Sequence, residues 1–191
     1  MTAKIHLASV LSLLVCTVVA GAIAQKVPAP DETGISVSQL QALVGELPPL
    51  PEGSIQAVQF LRRDGFWINR VAFLTETRNG GWQIFVFHLE KTGKHSLEWK
   101  SGKLDDSFSV SSPDALKVFS YGREQGIRFS GCAAHACPDV FSILLYVPSK
   151  RTAFMAKYVR GKTAYSLELE SPENSYYKTV LDQLVREHGN Q

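Results

Sequence analysis

Cysteine is scarce in this 191-residue chain, which has three. Cys16 lies in the amino-terminal apolar stretch, so only Cys132 and Cys137 remain for the folded part. Two cysteines cannot build a multiply crosslinked miniature scaffold, and the fold must rest on an apolar core instead. Charge of either sign is also slight in excess. Lys and Arg number 20 against 18 Asp and Glu, a formal net charge of +2. No basic block marks a nucleic-acid surface, so nucleic acid is not expected as a partner. The patterns G-x-S-x-G, H-E-x-x-H and the phosphate loop are all missing, which removes the familiar serine-hydrolase, zinc-peptidase and nucleotide sites. No cofactor is implied. There is no fixed-period repeat and no low-complexity tract. Beyond residue 24 no apolar run is long enough for a membrane-spanning helix.

What apolar run there is stands at the start. Lys4 and His6 precede a nearly continuous apolar segment, Leu7 to Val19, and Ala22-Ile23-Ala24 forms an A-x-A cleavage site before Gln25. This is the pattern of a secretory signal peptide, residues 1–24. Lipidation at Cys16 does not fit, because bulky Val15 precedes it and the cysteine sits inside the apolar run. Cleavage leaves 167 residues, enough for one domain or two small ones sharing a core. It also removes Lys4, so the mature charge falls to +1. A periplasmic or secreted soluble protein is expected, with no membrane contact after cleavage. In that oxidising setting Cys132 and Cys137 should pair. They close a loop of six residues, for which the chain-entropy estimate is about 2 kcal/mol. Such a bond fixes a local shape more than it holds up a fold.

The rest reads as α+β, mainly a curved antiparallel β-meander with an amphipathic helix at each end. Residues 25–53 form a leader and a short helix. Ser36-Val37-Ser38-Gln39 has the form of a capping box, and Leu40, Leu43, Val44 and Leu47 follow at helical spacing until Pro48-Pro49. Residues 54–110 form a meander: strands at Ile55 to Leu61, Phe66 to Thr75, Trp82 to Leu89 and Leu97 to Lys100. Asn79-Gly80 signals a hairpin turn, and Ile84-Phe85-Val86-Phe87 predicts burial on both faces. The polar stretch 101–114 is the best internal boundary, with Asp105-Asp106 expected in a solvated loop. Residues 111–191 carry strands at Leu116 to Tyr121, Ile127 to Ser130, Val140 to Val147, Thr152 to Val159 and Ala164 to Leu169. A helix then opens at Ser171-Pro172. Tyr176, Tyr177, Val180, Leu181, Leu184 and Val185 share one face of it.

The segment Gly131-Cys132-Ala133-Ala134-His135-Ala136-Cys137-Pro138-Asp139 holds both mature cysteines and the one histidine placed to do chemistry. Three readings are open. Cys132, His135 and Cys137 suit zinc by type, but they are three ligands and no second cluster offers a fourth. Redox chemistry is disfavoured by the C-x-x-x-x-C spacing and the lack of a βαβ pattern. In the third reading a disulfide stiffens a small loop that presents His135, flanked by small alanines, to the cleft of a partner. An inert stapled hairpin is its bland form. His88 and His95 lie in or beside strands with no partner legible in the sequence.

The C-x-x-H-x-C loop, entered from one strand and left by an apolar one, resembles the Ivy family. These are bacterial periplasmic inhibitors of vertebrate C-type lysozyme. The similarity runs from about residue 115 to 170, through Val118, Gly122 and Gly131 and the strand pair 140–159, and leaves 54–110 unaccounted for. The resemblance implies a non-catalytic protein whose inhibitory loop is Cys132, Ala133, Ala134, His135, Ala136 and Cys137. Its partner would be a C-type lysozyme, with the histidine bonding the catalytic carboxylates. The family motif is usually C-x-P-H-x-C. Here Ala134 stands in place of the proline and Ala136 where a polar residue is common. The near-neutral mature charge also departs from the acidic surface that would steer an inhibitor to a basic enzyme. Homo-oligomerisation is left open. The alternative is a periplasmic structural or binding domain that keeps the stapled loop without inhibiting lysozyme.

Overall fold

A computed structural model describes residues 35–64, 67–108, 115–121, 124–137, 139–166 and 172–189. The expected signal peptide, the Ser171 cap and residues 167–169 of the last expected strand lie outside them. Helix α1 spans Val37–Gly45. Its start is the expected capping box: the Gln39 N–H donates to Ser36 Oγ at 3.2 Å, and the Ser36 N–H donates to Gln39 Oε1 at 2.9 Å. Each satisfies a donor that the first helical turn would otherwise leave orphaned. Nine strands follow: β1 Ile55–Asp64, β2 Trp67–Glu76, β3 Trp82–Leu89, β4 His95–Lys100, β5 Leu116–Tyr121, β6 Glu124–Cys132, β7 Val140–Val147, β8 Thr152–Val159 and β9 Lys162–Ser166. Helix α2, Pro172–Gly189, ends the chain's described part.

The strands form two antiparallel sheets rather than one, in the orders β1-β2-β3-β4 and β5-β6-β7-β8-β9. The polar stretch at 101–114 falls between them. Strand alternation explains how both sheets find cover. Ala57, Leu61, Ala72, Leu74, Ile84 and Val86 of the first sheet meet Leu116, Ile127, Phe129, Leu144 and Tyr146 of the second in one cluster. The intervening residues face outward. Val58, Phe73, Phe85 and Phe87 pack with Leu43 and Leu47 at α1. Phe141, Ile143, Leu145 and Phe154 pack with Tyr177, Leu181 and Leu184 of α2. The order of layers is therefore helix, sheet, sheet, helix. The apolar run Ile84-Phe85-Val86-Phe87 is buried throughout because its two faces serve two different interfaces.

Several details depart from the sequence reading. Glu76 pairs with Trp82, so the β2–β3 connection is a five-residue loop and not a two-residue turn on Asn79-Gly80. Gly80 and Gly81 both take positive φ there, and the Thr77 N–H donates to Gly81 O at 3.0 Å. Strand β6 begins at Glu124, extending through residues expected to turn, because Tyr121 already pairs with Glu124. Tyr176 is 47 % exposed although it falls on the expected apolar face of α2.

One polar joint crosses the sheet–sheet interface. Tyr146 of β7 stacks on Trp99 of β4 at 4.7 Å between ring centroids, and its hydroxyl donates to Glu98 Oε1 at 2.5 Å. Arg70 Nε of β2 donates to the same oxygen at 2.8 Å. Burial pushes the Glu98 carboxyl up, but the bonds from Arg70 and Tyr146 outweigh it and hold the group below its ordinary value. Burial and the adjacent carboxylate push the Tyr146 hydroxyl up. At neutral pH the joint therefore holds an ionised Glu98 and a neutral Tyr146.

Because Val86 and Leu144 lie on the two sides of this interface, truncating either to alanine should cost about 2–4 kcal/mol. Urea melts of the single variants measure it. A loss under about 0.5 kcal/mol would contradict the packing of the two sheets on each other.

Candidate functional site: a stapled histidine turn

The turn between β6 and β7 is built from short-range bonds. The Ala133 N–H donates to Val140 O at 2.9 Å, the Ala136 N–H to Ala133 O at 3.0 Å, and the Val140 N–H to Ala136 O at 2.8 Å. The bond from Ala136 to Ala133 defines a β-turn over Ala133-Ala134-His135-Ala136. Its third residue, His135, has φ of 61°. Positive φ at that position characterises the type II turn, which favours glycine there and proline at the position before it. Histidine tolerates this region better than most residues. Cys132 and Cys137 form a disulfide with their Cα atoms 5.5 Å apart. The buried Cys132 anchors the turn to β6, while Ala134, His135 and Cys137 are exposed. Pro138 lies outside the described residues. The turn is also tied sideways, by the Arg160 N–H donating to Asp139 O at 2.8 Å.

Below the turn sits a buttress that the sequence reading treated as loop. The 3-10 turn Asp106–Phe108 lies against the ends of β6 and β7. Gly131 passes so close to it that an added Cβ would stand 2.8 Å from the Phe108 backbone. The Phe108 ring stacks on Phe129 at 5.0 Å. Ser107 Oγ and Ser142 Oγ are 2.6 Å apart, and Ser142 is the cross-strand partner of Gly131. Asp105 holds the other end: its Oδ1 accepts from the Ser107 N–H at 3.0 Å and from the Ser107 hydroxyl, and its Oδ2 accepts from Lys157 Nζ at 2.7 Å. Burial raises the Asp105 carboxyl, but the bonds from Lys157 and Ser107 outweigh it and leave the group below its ordinary value. Asp105 is thus an ion-pair partner and not merely a solvated loop residue. The signal was available: Asp-x-Ser suits an Asx turn, in which the carboxylate accepts the backbone N–H two residues on.

All six residues of the expected inhibitory loop fall in this one turn. The disulfide takes both sulfurs out of contention as thiolate ligands, so the zinc arrangement of Cys132, His135 and Cys137 does not form. Among the described residues no group of three or more His, Cys, Asp or Glu is placed to hold a metal. Of the other described histidines, His188 of α2 packs on Phe141, the cross-strand partner of Cys132, at 4.6 Å between ring centroids, and two lie elsewhere. His88 Nδ1 lies 3.8 Å from Glu98 Oε2, and His95 Nε2 lies 3.8 Å from Glu46 Oε1. Comparison with protein families, curated proteins and solved structures finds no match to the chain.

Two substitutions probe how the turn is held. Ala134 occupies the turn position that proline favours, and its N–H donates no hydrogen bond among the described residues. Ala134→Pro should therefore raise stability by about 0.4–1 kcal/mol, read in a denaturant melt. A loss of stability would show that the backbone there is not of the assigned turn type. Gly131→Ala should instead cost about 1–3 kcal/mol, because its methyl group meets backbone that cannot swing aside. A neutral effect would remove the buttress from the account.

Proposed function

We propose that this chain is a non-catalytic inhibitor of a C-type lysozyme that acts in the periplasm or outside the cell. Its disulfide-closed turn would enter the enzyme's active-site cleft. A curved sheet with amphipathic helical cover would be the scaffold for that turn. The observation that carries this reading is the exposed His135 at the tip of a stapled, internally bonded turn. Its shape is largely fixed before binding, so less ordering cost is met on association.

The chemistry of the tip favours the partner. A lysozyme cleft offers two carboxyl groups, one kept protonated near neutral pH and one ionised. A neutral imidazole donates from one ring nitrogen and accepts at the other, so it can bond both. Lysine has no acceptor, and a carboxylate would be repelled by the ionised partner. The alternative, a structural or binding domain without inhibitory action, is favoured by Ala134, by Ala136 and by the mature charge of +1. These leave the loop with a single polar head and the protein with little long-range attraction for a basic enzyme.

Titration of lysozyme activity separates the two. Wild-type protein should inhibit, and His135→Gly should weaken inhibition about 30- to 1000-fold, as expected for a shielded central contact. Glycine is the informative replacement because it accepts the positive φ and keeps the turn intact. The variant's melting temperature should be at least that of the wild type. Equal inhibition by the two proteins would exclude the turn as the inhibitory element. Absence of inhibition by wild type would favour the binding-domain alternative.

A further inference from the structure

At the end of the sandwich away from the turn, the inner faces of three strands change character together. On β2 the inward series Leu74, Ala72 continues to Arg70. On β3 Ile84, Val86 continues to His88. On β6 Phe129, Ile127 continues to Gln125. The apolar interface thus opens into a cavity of about 540 Å³. Arg62 and Arg63 at the end of β1 line it with Arg70 and His88, and Gln125 and Ser149 form the wall from the second sheet. Three arginines and no carboxylate stand among the described lining residues. At roughly 3.3 Å per residue, β6 separates Gln125 from Cys132 by roughly 23 Å, so this cavity and the histidine turn lie at opposite ends of one strand.

We infer that this inter-sheet cavity is a binding site for a small oxyanion, a phosphate- or carboxylate-bearing molecule. The arginines are placed before any ligand arrives. Arg70 is fixed by its Nε bond to Glu98, a side chain only 5 % exposed. A guanidinium has four further N–H donors on its two terminal nitrogens, in the planar fork that matches a carboxylate or phosphate. Arg63 stands 5.9 Å over the Trp67 ring, a contact that helps hold its guanidinium in place. Glu98 sits beneath, engaged by Arg70 and Tyr146. His88, Gln125 and Ser149 add polar contacts around the mouth. The site gives the first sheet a purpose that the turn does not supply, since the first sheet contributes all four cationic or imidazole side chains. It is independent of lysozyme binding.

The test is isothermal titration calorimetry on the full mature chain with two probes, inorganic phosphate and citrate, ionic strength being held constant with sodium chloride. At least one probe should bind saturably at a single site. Arg63→Gln removes a lining charge, and Gln125→Glu adds a repelling one from the other sheet. Each should weaken binding about tenfold or more with the thermal melt preserved. Lys162→Gln, on the exposed β9, should bind as wild type does. Phosphate binding alone identifies a phosphate-bearing ligand, citrate binding alone a carboxylate-bearing one, and binding of both a site for either group. The inference is overturned if neither probe saturates, if either cavity variant binds as tightly as wild type, or if Lys162→Gln weakens binding as much as they do.

Discussion

The seam between the two sheets depends on Tyr146. Its ring is fully buried among the inward residues of both sheets, stacked on Trp99, yet it carries a hydroxyl that must find a partner there. Glu98 supplies the partner, and Arg70 supplies the charge that lets Glu98 stay ionised at low exposure. Without Glu98 the Tyr146 hydroxyl loses its partner, and without Arg70 the Glu98 carboxylate loses its hydrogen-bonded counter-charge, both costly in a low-dielectric interior. Apolar area drives the sheets together without direction. This triad adds a directional contact that ties β2 and β4 of the first sheet to β7 of the second.

Much of this was legible from residue periodicity. Nine strands and two helices occur in the expected order, although β4, β6 and β9 begin two or three residues earlier than the turn residues indicate. Ser36 with Gln39 is the clearest case of agreement, and β7 and β8 keep their expected ends. What could not be read was the partition into two sheets. Alternating burial is the same whether a strand's second face meets a helix or another sheet, so Phe85 and Val86 look alike in sequence although they serve different interfaces. The cross-sheet triad was illegible for a similar reason. Arg70, Glu98 and Tyr146 are spread over 76 residues and nothing local marks them as neighbours.

The candidate turn was visible as a motif, since its cysteines, histidine and alanines are contiguous. Its support was not. Asp105, Ser107 and Phe108 belong to a polar connection that reads as a boundary, and they act through Gly131, Ser142 and Lys157 on three other strands. The positive φ of His135 was equally hidden, because sequence shows which residues tolerate that conformation and not which one adopts it. The turn's rigidity therefore comes from two sources. The disulfide closes the loop, and the buttress holds the strands that enter and leave it.

The use of both faces of the first sheet has a consequence for how the chain is made. Synthesis runs from the amino terminus, so β1 to β4 emerge before any strand of the second sheet. Helix α1 is then already at hand to cover one face, but Ala72, Leu74, Ile84 and Val86 wait for β6 and β7. During that interval the nascent protein displays an uncharged, β-prone surface of the kind that self-associates. The first half of the molecule therefore depends on the carboxy-terminal strands to cover that face.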